Sequence, residues 1–301
     1  MNHEISKETK RVSAKAHLTI FLFMLYFFLI VPFVLYPLFN TIGLTSSTAG
    51  AVVISSLYNL LPMLVYLLIT RQRPKAILPP SSLGVKNGFY IAGVTIAVNL
   101  VVLFINLGHF NTLFNEITPE PFDLPGISSL FMFLIAFGFL TATFEELWFR
   151  GPVYAEYQKR GVSIWKVALI SGLLFGVVHG GITQISSTAV LGVMWAFMLY
   201  YTRSIWAPIL GHIVYNVFNI ILNPTFYVRD YRTFWDIVQT YTLVIGIAAL
   251  VMIPVAVVCM RKIILNNSRE KESAASETKL FKLCYWALIA VMIVVAVRFR
   301  L

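Results

Sequence analysis

Three short stretches carry side chains that could do chemistry in an otherwise apolar chain. The first is Glu145-Glu146-Leu147-Trp148-Phe149-Arg150, which closes the apolar run 131–144. The second is Phe175-Gly176-Val177-Val178-His179, and the third is His212-Ile213-Val214-Tyr215-Asn216. A charged side chain inside a bilayer costs about 2.5–3.5 kcal/mol on insertion scales, so each such residue needs a partner or a task. Glu146 and Arg150 stand four apart on one helix face, in the favourable order for an ion pair. Glu145 is turned by about 100° from Glu146 and faces elsewhere. A carboxylate without a partner beside apolar surface is a candidate general acid or base. His212 and Asn216 also share a helix face. Asn219 continues their stripe, where a hydrogen bond to a neighbouring helix is its simplest use. His179 sits where a helix runs into Gly180-Gly181. Singly, each of these residues suits helix packing. Together, Glu145, His179, His212 and Asn216 on three consecutive helical elements form a convergent polar cluster, and ionisable residues in such positions point to function.

The elements that must hold this cluster are membrane helices. Of 301 residues, 58% are hydrophobic and 12% charged, with a mean hydropathy of +0.80. Soluble domains carry about 25% charged residues, and disordered chains have high charge and few aromatics, so both classes are excluded. No Lys, Arg, Asp or Glu occurs between Lys15 and Arg71, or between Lys166 and Arg203. A spanning helix needs about 20 mostly apolar residues. Apolar stretches at 18–39, 48–70, 88–107, 127–145, 165–179, 188–203, 206–222, 237–260 and 281–297 predict an all-α, polytopic transmembrane helix bundle of eight to nine spans, the last being the least certain to cross. The organisation reads as N-terminal spans over 1–124, a core over 125–225 and C-terminal spans over 226–301, with a flexible polar linker at 266–278.

The net charge of +10 reads as topology and not as nucleic-acid binding. With a cytoplasmic N-terminus, all 23 basic residues except Arg229, Arg232, Arg298 and Arg300 fall on the cytoplasmic side. The loop at 108–126, with Glu116, Glu120 and Asp123, then falls outside. Glu145 and Glu146 are the acidic residues that the pattern does not leave in loops. Cys259 and Cys284 form no disulfide framework or metal spacing, and read as small apolar residues near helix ends. The stretches 165–179 and 188–203 are short for a 30 Å core, and the connection His-Gly-Gly-Ile-Thr-Gln-Ile-Ser-Ser (179–187) is polar. This predicts a hairpin with an irregular tip inside the membrane, beside a wet pocket that Glu145 also reaches.

In these three motifs the chain resembles the CPBP family, the CAAX-protease and bacteriocin-processing (Abi) membrane endopeptidases, which carry EExxxR, FxxxH and HxxxN in that order. The resemblance covers roughly 125–225. It implies an intramembrane endopeptidase acting on a membrane-associated or lipid-anchored peptide or protein. Glu145 would activate water with help from His179, His212 and Asn216 would stabilise the oxyanion, and Glu146 and Arg150 would support them from behind. It also implies an integral, multi-pass protein, with a bacterial plasma membrane as the expected setting. Metal-free water activation is the expectation. Zinc held by Glu145, His179 and His212 is the alternative, although HExxH spacing is absent. Competing readings are a non-catalytic membrane regulator or bacteriocin-immunity protein with a membrane or cell-envelope protein partner, and a transporter. The absence of a visible internal repeat counts against the transporter.

Overall fold

The computed structural model describes residues 21–22, 25–44, 48–78, 81–114, 126–158, 161–179, 182–222 and 231–267. These residues are helical almost throughout, and no strand forms among them. The helices are α1 (Tyr26–Thr41), α2 (Thr48–Thr70), the short α3 (Pro74–Ile77), α4 (Val85–Phe114), α5 (126–158), α6 (Ile164–Val177), α7 (Ile182–Thr202), α8 (Trp206–Leu222) and α9 (Tyr231–Asn267). Among the described residues three stretches are long and apolar enough to cross a membrane: Val85–Phe104, Leu130–Gln158 and Thr240–Asn267. The protein is an all-α membrane protein. The expected ninth span (281–297), Cys284 and most of the linker at 266–278 lie outside the described residues.

The described residues form two compact units, one within 1–82 and 131–217 and the other within 83–130 and 218–301. In the second unit α4 and α9 pack antiparallel. Asn87 bonds to Asn266 and Asn267 at one end, and Phe104 meets Gly246 at the other. Val101, Phe104, Ala249 and Ile253 form the buried seam between them. Asn219 Nδ2 donates to Asn99 Oδ1 at 3.1 Å, the neighbouring-helix bond expected of it. Cys259 lies well inside α9, where a Cβ on Gly93 would come within 3.0 Å of its sulfur; it is not at a helix end.

The first unit holds the three motifs. Its α6 and α7 pack closely because glycine lets the backbones approach. A Cβ on Gly176 would lie 2.6 Å from the Ile185 carbonyl oxygen, and one on Gly172 would lie 2.8 Å from that of Ala189. Neither oxygen can move without opening the hairpin. Gly176→Ala is therefore expected to cost about 1–3 kcal/mol, read as a lower thermal midpoint of the purified protein in detergent. An unchanged midpoint would show that the two helices part freely.

Four sequence expectations change here. The fourth apolar stretch does not end at Glu145. Its helix runs on to Gln158, so Glu145 and Glu146 sit mid-helix. Arg150 is wholly buried in that helix and is not a topology-setting loop charge. Glu156 is likewise not in a loop. It is 2% exposed and accepts from Tyr66 Oη at 2.6 Å and Gln72 Nε2 at 2.9 Å, which ties the end of α5 to α2. Buried partners thus let the helix carry charges that ended the apolar run in sequence. The fourth change is at the hairpin tip, where α7 already begins at Ile182 and most of the polar connection is helical. In apolar surroundings a helix satisfies backbone groups that an irregular tip would leave open. The 14 residues of α6 make about 21 Å of helix, so that arm is short as expected.

Candidate active site

The site is built on an interrupted helix. Two π-helical stretches, Leu134–Thr141 and Phe149–Val153, flank the α-helical segment Ala142–Trp148 that carries both glutamates. Such widened turns re-aim side chains and are frequent at functional sites. Pro152, inside the second stretch, has no N–H to return to the preceding turn.

Glu146 and Arg150 are both fully buried, with Arg150 Nε 2.7 Å from Glu146 Oε2. Arg150 Nη1 also donates to Ser171 Oγ on α6, and its guanidinium lies 5.8 Å from the Phe175 ring centre. The other oxygen of Glu146 reaches further than the sequence suggests. Its Oε1 lies 3.1 Å from His212 Nδ1 on α8. A carboxylate paired with Arg150 only accepts, so Nδ1 carries the proton and Nε2 is left to face the other way. That nitrogen is 3.8 Å from Glu145 Oε2, within reach of an ion pair but beyond a hydrogen bond. Arg150, Glu146, His212 and Glu145 thus form one file of polar side chains from α5 to α8 and back.

Glu145 is nearly buried, and its Oε2 is closed to solvent with no hydrogen-bond partner. Asn59 on α2 hydrogen-bonds its carboxyl group. Glu145, Asn59 and His179 line one cavity of about 510 Å³, walled by apolar side chains such as Phe27, Ile54 and Phe137. His179 Nδ1 is 2.7 Å from the Phe175 carbonyl oxygen. A carbonyl can only accept, so Nδ1 holds the proton here too and Nε2 is the free acceptor.

Phe175, 1% exposed, explains the aromatic position of the FxxxH motif. Its ring centre is 4.7 Å from that of His179 and 5.5 Å from that of His212, so it spaces the two imidazoles. Trp195 on α7 stacks on His212 at 4.2 Å and 20°.

His212 and Asn216 are not among the described residues that line the cavity. His212 stands behind Glu145, while Asn216 Nδ2 donates to the Phe137 carbonyl oxygen at 2.7 Å, inside the first π stretch. Asn59 escapes the motif reading altogether. Its one sequence signal is an amide within the uncharged, mostly apolar run of α2, three residues before Pro62, which interrupts that helix's hydrogen bonding. Among the described residues no three His, Cys, Asp or Glu side chains converge closely enough to ligate one ion. The set Glu145, His179 and His212 does not fit zinc in this arrangement.

A profile of the Rce1-like family, described as type II CAAX prenyl endopeptidases, matches residues 127–218, the segment that holds all three motifs. Over residues 127–218 the chain is similar to the CPBP family. Similarity extends to YdiL of Bacillus subtilis (strain 168), named as a candidate membrane peptidase. It is 28% identical over 171 residues, which cover 53% of this chain and 67% of the relative. No solved structure matches the chain. The matched segment covers α5 through most of α8, and the file of side chains from Arg150 to Glu145 lies entirely within it.

Proposed function

We propose that the protein is a multi-pass intramembrane endopeptidase of a bacterial plasma membrane, cleaving a peptide bond in a membrane-associated peptide or protein. The observation that carries this reading is the convergence of Glu145 and His179 on one apolar-walled cavity, with His212 closing the file behind Glu145. Glu145 takes a proton from a water whose oxygen attacks the scissile carbonyl carbon, and the carbonyl π pair moves to oxygen. His179 Nε2 accepts the water's second hydrogen and aims its lone pair. The proton on Glu145 then passes to the leaving amine as the C–N bond breaks and the carbonyl re-forms. His212, held by Glu146, presents Nε2 to Glu145 from behind. The family resemblance implies an oxyanion role for His212 and Asn216, and Asn216 keeps a second amide hydrogen for it. The apolar cavity wall favours a substrate that arrives as a hydrophobic segment from the bilayer.

The purified protein in detergent, given a panel of hydrophobic peptides, is expected to cleave at least one of them, and His212→Ala to cleave none. Activity unaffected by a chelator is expected of metal-free water activation. A cellular phenotype that survives His212→Ala would favour a non-catalytic regulator instead.

A further inference from the structure

The cavity that Glu145 and His179 share holds a buried hydrogen-bond donor without a partner. Tyr58 on α2 lines it, and the Tyr58 hydroxyl oxygen is closed to solvent with no hydrogen-bond partner. The ring is placed by packing, tilted against Phe39 at 5.9 Å between centres. A buried O–H without an acceptor is unfavourable, and natural structures keep such groups rarely and for a reason. Three other side chains of the site have donors engaged. The Asn59 side chain hydrogen-bonds Glu145, His212 Nδ1 meets Glu146, and Asn216 spends one amide hydrogen on Phe137. Pro62, four residues after Tyr58, cannot donate to the Tyr58 carbonyl, which loosens the α2 backbone at this position.

We infer that Tyr58 is a further catalytic residue, whose hydroxyl donates a hydrogen bond to the carbonyl oxygen of the scissile bond and holds the negative charge that develops there. The assignment rests on the peptidase reading above. No proton leaves Tyr58. As water adds, the carbonyl π pair moves to oxygen, the phenol O–H shortens its contact to that oxygen, and the contact relaxes when the carbonyl re-forms. A donor already in place, with no partner to leave, needs little reorganisation as the charge appears.

Tyr58→Phe removes this one group and keeps the ring against Phe39. With a peptide that the wild type cleaves, kcat is expected to fall about 10²-fold while KM stays within about twofold. The thermal midpoint is expected not to fall, because the lost hydroxyl has no partner in the folded protein. Affinity for a phosphinate analogue of the same peptide, whose tetrahedral oxygens mimic the intermediate, is expected to weaken by a factor similar to the loss in kcat/KM. A Tyr58→Phe enzyme with wild-type kcat overturns the assignment and leaves the peptidase reading standing. So does a loss of kcat accompanied by a lower midpoint and unchanged analogue affinity. A wild type that cleaves no peptide, or a Glu145→Gln variant as active as wild type, takes down the peptidase reading and this assignment with it.

Discussion

Replacing Glu145 with glutamine is expected to lower peptide cleavage by about 10²–10⁴-fold, the range a positioned general base supplies, while the protein stays folded. Glutamine keeps the length and hydrogen-bonding capacity of the side chain, so the bond to Asn59 has a substitute acceptor. It cannot take a proton from water at neutral pH. The substitution also removes a carboxylate 3.8 Å from His212 Nε2, so His212 loses one of the two anions that flank it. Since Glu145 Oε2 has no hydrogen bond to lose, the thermal midpoint in detergent should hold or rise. Rates and midpoint measured on one preparation check both halves. Turnover within about threefold of wild type would show that the carboxylate is not the base.

The second large effect falls on stability. Arg150→Met is expected to cost about 3–5 kcal/mol, the usual consequence of leaving a buried charge uncompensated. Glu146 is fully buried, and without the guanidinium it keeps His212 Nδ1 as a hydrogen-bond partner 3.1 Å away. Ser171 also loses its Arg150 contact, and Phe175 loses the cation beside its ring. The double variant Glu146→Leu/Arg150→Met separates stability from activity. Removing both charges together is often neutral or stabilising, so most of the lost stability should return. Turnover should not, because His212 then has no acceptor to fix its tautomer and hold Nε2 toward Glu145. Thermal midpoints of the two variants beside the wild type, with cleavage rates, test this. A double variant as unstable as the single one would mean that the arginine acts through packing alone.

The sequence makes legible what repeats along one helix. Eight of the nine expected apolar stretches correspond to helices, because backbone groups in lipid have no partner other than their own helix. The Glu146–Arg150 pair follows from a spacing of four. The three motifs themselves, and the resemblance that the Rce1-like profile also finds over 127–218, were readable without coordinates.

Helix ends were less legible wherever polar residues appear. Charge at Glu145 and Glu146 looks like an exit from the membrane, yet α5 continues to Gln158 because Arg150, Ser171 and Tyr66 satisfy its buried polar groups. Partners on other helices could not be read at all. Nothing in the spacing of Glu146 points to His212, 66 residues away, or turns Asn59 and Tyr58 toward the cavity of Glu145 and His179.

The physical reason is common to both failures. In a water-soluble helix one apolar face marks the inside, but here lipid and protein interior are equally apolar. Exposed Leu68 and Phe131 look no different in sequence from buried Ile91 and Phe175. The chain by itself determined that helices form, roughly where, and which chemistry they carry. Tertiary packing decided which faces meet, through the glycine contacts of α6 and α7 and the buried charges of α5, and so which carboxylate is held and which is left to react.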